Sequence, residues 1–179
     1  MKWLTIPIKV KGRYKQKIQD AIIADKRWAL KHWDTIKHCY NSAPFYENYE
    51  YIFGKTYQNC REMDSLSEVN RLFINLINSI LGITTIISGS ADYKLEGNKS
   101  EKIISICKQA KAEVYLSGPS AKNYLDEELF RKEDIKLSWV DYNNYPEYNQ
   151  LNPPFDHNVS ILDLIFNEGQ DAGKFMKSF

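Results

Sequence analysis

Cysteine is scarce in this 179-residue chain, and neither sign of charge prevails. Cys39, Cys60 and Cys107 are odd in number, lie far apart and form no C-x-x-C pair. That argues against a disulfide framework and against a thiolate zinc site. The histidines are also few. His32, His38 and His157 have no paired spacing and H-E-x-x-H does not occur, so no metal site is expected. The formal net charge is +1, too small for a global field that would draw the chain to nucleic acid or anionic lipid. No apolar run has the length of a membrane span. The N-terminus is too short and too interrupted for a signal peptide, so a reducing cytoplasm is the expected address. G-x-S-x-G is missing, which leaves nucleophilic hydrolysis unsupported. G-x-G-x-x-G and the P-loop are missing too, so no standard nucleotide fingerprint is present and no particular cofactor is indicated.

What is present is an ordinary globular balance, with 43% apolar and 26% charged residues. Aromatics reach 13%, including twelve Tyr and four Trp. Aromatic cores are the common cause of such a content, and carbohydrate- or nucleotide-handling surfaces a less common one. The length suits one domain, expected over residues 1–170 with a frayed tail over 171–179.

Leu4, Ile6 and Ile8 alternate with Thr5 and Pro7 and predict a strand almost from the first residue, with Pro7 at an edge. A basic loop over 9–17 and a short strand over 18–23 follow. Asp25 is placed to cap a helix over 26–41, whose stripe is Ala29, Trp33, Ile36 and Tyr40. Pro44, with Ser42 as a candidate cap, opens a second helix to about Tyr57. Ser65-Leu66-Ser67-Glu68 reads as a capping box for a third helix to Leu81, stopped by Gly82. The β-branched run 83–87 predicts a strand ending at Ser88-Gly89-Ser90. A helix around Ile103–Ala110, a strand over 113–116, a helix over 126–132 and a strand over 135–142 come next. A Tyr-, Asn- and Pro-rich loop over 142–158 leads to a last helix over 160–168. Strands alternating with helices predict an α/β fold, a single domain with a largely parallel sheet flanked by helices.

Several groups could carry chemistry. Ser88-Gly89-Ser90 and Ser117-Gly118-Pro119-Ser120 both follow predicted strands, whose carboxyl ends would share one sheet edge where ligands bind. Ser88, Ser90, Ser117, Gly118, Asn123 and Tyr124 are therefore candidate substrate contacts, with turn formation and capping as the plain alternative. His32 lies beside the core stripe and could act as a general acid or base, with the neighbouring Lys31 as a charge for phosphate. Successive helical residues diverge by about 100°, so the two cannot aim at one atom unaided. The alternative for His32 is a hydrogen-bonded residue at the edge of the core. Tyr148 and Gln150 sit in the long loop, where rings and amides suit a sugar or a base, or merely pack the loop. The last helix is apolar except for a stripe of Ser160, Asp163 and Asn167, which either faces solvent or points into a wet site.

Taken together, ordered blocks of the chain resemble the WbqC-like family. They are Trp3-Leu4-Thr5-Ile6-Pro7-Ile8, Trp28-Ala29-Leu30-Lys31-His32, Tyr40-Asn41-Ser42-Ala43-Pro44-Phe45-Tyr46, Leu81-Gly82-Ile83, Tyr115-Leu116-Ser117-Gly118 with Tyr124-Leu125, Tyr148-Asn149-Gln150, and the stretch from Ser160 to Gly169. The resemblance implies a small bacterial cytoplasmic protein of O-antigen or other surface-polysaccharide (lipopolysaccharide-type) biosynthesis. It also implies a transferase that decorates a nucleotide-activated sugar with an acyl or aminoacyl group. The partner expected is thus a small-molecule substrate, a nucleotide-sugar; a non-catalytic module binding a sugar nucleotide or a partner enzyme is the alternative. Family members begin with a further segment carrying a His-Gln-Pro-like motif, which is not found here, so the resemblance implies an N-terminally truncated chain.

Overall fold

A computed structural model describes residues 3–177. In chain order its main elements are α1 (Trp28–Tyr40), α2 (Tyr46–Cys60), α3 (Leu66–Leu81), α4 (Lys99–Gln109), β1 (Val114–Ser117), α5 (Glu127–Lys132), β2 (Lys136–Trp139) and α6 (Ile161–Glu168). The sequence reads as one domain over 1–170. The structure gathers its residues into two compact units. One takes the stretches up to Thr84 and from Tyr145 onward; the other is Thr85–Asn144, inserted between them in sequence.

The first unit is helical. The α1 stripe is as expected: Ala29 and Ile36 are buried, with Trp33 and Tyr40 packed against the same core. Asp25 does not cap the helix. Its carboxylate accepts from the Arg27 backbone N–H at 3.0 Å and from the Arg27 guanidinium, closing the turn before the helix. In α2 the helix begins at Tyr46, after Pro44, and Ser42 bonds to Asn41 instead of capping. α3 starts on a Ser65 hydroxyl that accepts from the Glu68 N–H, and it ends on Gly82 at φ 70°. The core contains Phe53, Tyr57, Val69, Ile165 and Phe166, and the Phe45 N–H donates to the Phe166 carbonyl, tying the α2 entrance to α6.

The second unit is a small α/β assembly. β1 and β2 pair in parallel, Val114 opposite Lys136 through Ser117 opposite Trp139. α5 lies in the crossover, as parallel pairing requires an intervening segment. α4 starts at an Asn98–Glu101 capping box. Phe130, Ile104, Cys107 and Ile135 form this unit's core.

The fold is therefore mixed α/β, but among the described residues the largely parallel sheet reduces to one pair of strands. Three expected strands do not form. Residues 4–8 contribute only an antiparallel bridge between Ile8 and Ile23, residues 18–20 make a 3-10 turn, and residues 83–87 join no ladder. β-branched composition marks a residue that suits a half-buried pleat; it does not supply the partner strand. The tail also differs. Gly169–Phe175 is a 3-10 helix with Ala172 buried and Phe175 packed on Tyr148, where fraying is expected from 171. Residues 178–179 of that expected tail lie outside the described residues.

Candidate functional site

In the second unit, the Ser-Gly turns are closed on themselves. The Ser88 hydroxyl pairs with the Tyr93 hydroxyl at 2.7 Å. The Gly89 N–H donates to Asp92 Oδ2 at 2.7 Å, so a carboxylate of the chain already holds the donor that an anion would use. Ser90 opens the short turn Ser90–Asp92. Ser117 ends β1, and its carbonyl accepts from Val140 N–H at 2.9 Å. Gly118 has ordinary extended backbone, with the Tyr142 hydroxyl beside it. Asn123 is exposed, and Tyr124 is exposed under the Lys99 ammonium. The two turns do not share the edge of a sheet, because residues 83–87 belong to no ladder. A cavity of about 700 Å³ in this unit lies elsewhere, between α4 and α5. Four of its charges are paired, Lys94 with Glu96 and Lys108 with Glu133, the fifth, Glu101, accepts from the Asn98 N–H, and none of the expected site residues lines it.

In the first unit, His32 is only 8% exposed, with the rings of Trp28 and Tyr57 against it. Its Nε2 lies 3.2 Å from the Thr5 carbonyl. A carbonyl oxygen only accepts, so Nε2 carries the proton and the lone pair sits on Nδ1. Burial holds the imidazole pKa below its usual value, while the Thr5 carbonyl opposes that shift. Lys31 is exposed and turned away, as helical geometry requires.

The polar stripe of α6 is the more informative feature. Asp163 and Asn167 are both buried within an otherwise apolar helix. The Tyr40 hydroxyl donates to Asp163 Oδ2 at 3.0 Å, and the Tyr148 hydroxyl donates to Asp163 Oδ1 at 2.7 Å. The Asn167 amide donates to the Asp163 carbonyl at 2.8 Å and to Oδ1 at 3.3 Å. Gln150 completes the group. Its amide N–H reaches the Tyr148 hydroxyl at 3.4 Å and the Asp156 carbonyl at 2.9 Å, and its Oε1 accepts from the Asp156 N–H at 2.8 Å. Burial and the adjoining Asp163 carboxylate raise the Tyr40 phenol well above its ordinary pKa. Burial, then the bond to Asp163, does the same to Tyr148. Asn167 Oδ1 is buried with no hydrogen-bond partner among the described residues.

Three expected contacts, Tyr148, Gln150 and Asp163, thus come together. His32 does not join them: Tyr40 stands eight residues further along α1, about 12 Å down the axis. Ser160 caps α6 through Leu162 N–H instead of entering the cluster. Tyr40 and Asn167 are the members that the sequence reading passes over as site residues. The signal for Asn167 was its place four residues after Asp163 on a helix too apolar to be exposed. Tyr40 gave none, since a tyrosine at the end of a core stripe looks like core. Among the described residues, no group of three or more His, Cys, Asp or Glu is placed to hold a metal ion, and no helix is long and apolar enough to cross a membrane.

The family model described as the WbqC-like protein family matches residues 1–175. The chain belongs to this family. It is also 38% identical, over 177 residues, to a protein of Mycobacterium tuberculosis named Uncharacterized protein Rv1507c; the match covers 99% of this chain and 76% of that relative. No solved structure matches. The WbqC-like chain thus carries the polar cluster of Asp163 with Tyr40, Tyr148, Gln150 and Asn167 inside the matched region.

Proposed function

We propose that this WbqC-like protein is a cytoplasmic transferase of bacterial surface-polysaccharide biosynthesis, which passes an acyl or aminoacyl group to a nucleotide-activated sugar. Family membership supports the setting. The observation that carries the reading is the unpaired, buried Asn167 Oδ1 beside a carboxylate held by two phenols. A buried acceptor without a partner costs about 1–3 kcal/mol, and such a group in a folded protein calls for a donor from a ligand or a water. Sugar hydroxyls and amines are such donors, and the Tyr148 ring and Gln150 amide suit a sugar's flat face and edge.

In the transfer itself, the acceptor nitrogen or oxygen bonds to the acyl carbon, and the donor's leaving group departs with the electrons of the broken bond. The acceptor proton needs a base. Two groups are candidates: His32 through Nδ1, kept proton-free near neutral pH by burial, and Asp163 where a substrate displaces one phenol. Lys31, and the turn residues Ser88, Ser90, Ser117, Gly118, Asn123 and Tyr124, remain candidate contacts for phosphate or carboxylate. The proposal does not depend on them.

A non-catalytic sugar-nucleotide-binding module is the second reading. It is favoured by two contacts: the His32 Nε2–H donates to the Thr5 carbonyl, and the two phenols cover the Asp163 oxygens. Calorimetry of the full chain against UDP- and dTDP-linked amino sugars, followed by mass spectrometry with acyl-coenzyme A and aminoacyl donors, separates the two. Binding with turnover that Asp163→Asn or His32→Ala abolishes supports the transferase. Binding without turnover supports the module, and absence of binding removes both.

A further inference from the structure

The loop between Ile8 and Ile23 stands apart from the rest of the surface. Its base is fixed: Lys9 N–H donates to the Ile22 carbonyl and Ala24 N–H to the Pro7 carbonyl, each at 2.8 Å, around the Ile8–Ile23 bridge. Ala21 and Ile23 are buried there, and Ile23 N–H reaches the Asp64 carbonyl. Beyond this base the chain folds on itself. Arg13 N–H returns to the Val10 carbonyl, Gln16 N–H to the Arg13 carbonyl, and the Gln16 side chain to the Lys9 carbonyl. The result is a compact surface loop of the Ω type, held by its own backbone.

Lys9, Lys11, Arg13, Lys15 and Lys17 alternate along it, all exposed, with no acidic residue before Asp20. Among the described residues, none of the five is in an ion pair. Outside this stretch, acidic residues outnumber basic ones, so the positive charge is local. Between the cations, Tyr14 is 93% exposed and Val10 59%, and Ile18, directly after Lys17, is 87% exposed. Nothing in the core needs these side chains, and each exposed apolar group in water is a cost that a partner would remove.

We propose that this basic loop docks the protein peripherally on an anionic lipid surface. A one-sign charge cluster interleaved with a tyrosine and aliphatic side chains is the chemistry of an interfacial contact: cations meet the headgroups and apolar tips enter the boundary. A nucleic acid is the less fitting polyanion. It would run beyond the loop, outside which acidic residues outnumber basic ones in the chain, and Val10 and Ile18 offer no ring for stacking. A single exposed loop can meet a planar surface, while charges more than about 10 Å away are screened at ordinary salt. The inference is independent of the transferase reading.

Sedimentation of the full chain with phosphatidylcholine vesicles, with and without about one-third phosphatidylglycerol, tests it. The expected result is binding to the anionic vesicles alone, weakening as salt rises. Lys11→Glu, Arg13→Glu and Lys15→Glu together lower the partition coefficient by about a hundred-fold or more, from about five-fold per cation. Tyr14→Ser, which leaves the charge intact, lowers it several-fold; thermal unfolding of each variant checks the fold. No binding to anionic vesicles, equal binding to neutral ones, or unchanged binding by the charge-reversed variant overturns the proposal. So does an unchanged Tyr14→Ser partition together with tighter binding to a single-stranded oligonucleotide, which would make the loop a general polyanion site.

Discussion

Tyr148 donates its hydroxyl to Asp163 Oδ1 across 2.7 Å, joining the long loop to the one buried carboxylate of α6. Tyr40 holds the other oxygen from α1. Tyr148→Phe and Tyr40→Phe should each cost about 1–2 kcal/mol in urea unfolding, since a charge-assisted bond is lost and the carboxylate is left less satisfied. The double variant should depart from additivity by about 0.5 kcal/mol or more, because both phenols serve one carboxylate. Strict additivity would show that the two bonds are energetically separate.

Alkaline pH should unfold the protein through the same tyrosines. Tyr40 and Tyr148 both have pKa values raised in the fold, by burial and by Asp163. Tyr57 is raised by burial. The folded state then holds protons that the unfolded state releases, so stability falls with rising pH. Their contribution is whole below the unfolded tyrosine value of about 10 and is lost as pH climbs from there through the folded values. Chemical denaturation should therefore give a constant stability up to about pH 10 from these groups and a decline above it. Tyr148→Phe should make that decline shallower. An equally steep decline in the variant would remove Tyr148 from the account.

His32 should act at the other end of the scale. Its pKa is lowered by burial, against the pull of the Thr5 carbonyl. The unfolded histidine takes up a proton near pH 6.5 and the folded one resists it, so stability is present above about 6.5 and is lost as pH falls below. His32→Gln should flatten the slope between neutral and mildly acidic pH. It can keep a donor toward Thr5, so it should cost less than His32→Ala at neutral pH, where the difference reads the value of that bond, about 1 kcal/mol. If both variants keep the native acid slope, another group titrates there.

The helices were legible in the sequence because each announces itself locally. Ser65 and Gly82 bracket α3, the apolar residues from Ile103 to Ala110 mark α4, and the α1 stripe repeats at helical spacing. The missing sheet was not legible, because pairing is long-range. Nothing within residues 83–87 records whether another strand lies beside them, whereas the strand–helix–strand alternation around α5 does point to the parallel pair that β1 and β2 form. The candidate site divides in the same way. Asp163 and Asn167 lie one turn apart on a helix that has to be buried, so the stripe could be seen. The Tyr40 bond spans 123 positions, and no local rule connects it to that stripe. His32 was seen beside the core, but its carbonyl partner at Thr5 comes from a segment whose irregular path no periodicity encodes.

Gly169 ends α6, one turn and a half beyond Asp163, and its substitution should combine backbone strain with crowding. Its φ is 56° and an added Cβ would come within 2.5 Å of the Phe45 ring. That ring cannot simply swing aside with its backbone, because the Phe45 N–H is bonded to the Phe166 carbonyl at 2.9 Å. Gly82 offers a milder reference: at φ 70° and ψ 20° it is left-handed helical, and a Cβ there would meet nothing within 4 Å, whereas Gly169 has ψ −123°, outside that region. Gly82→Ala should therefore show the strain of a left-handed helical residue alone, about 1 kcal/mol, whereas Gly169→Ala adds both a steric clash and a backbone conformation that side chains rarely adopt, and should cost about 2–4 kcal/mol. Because α6 carries Asp163, the Gly169→Ala chain should also shift the Tyr148 phenolate titration toward its ordinary value, read in the ultraviolet phenolate band. Equal losses in the two variants would mean that Phe45 yields freely and that the α6 terminus is not held as tightly as the Phe45–Phe166 bond implies.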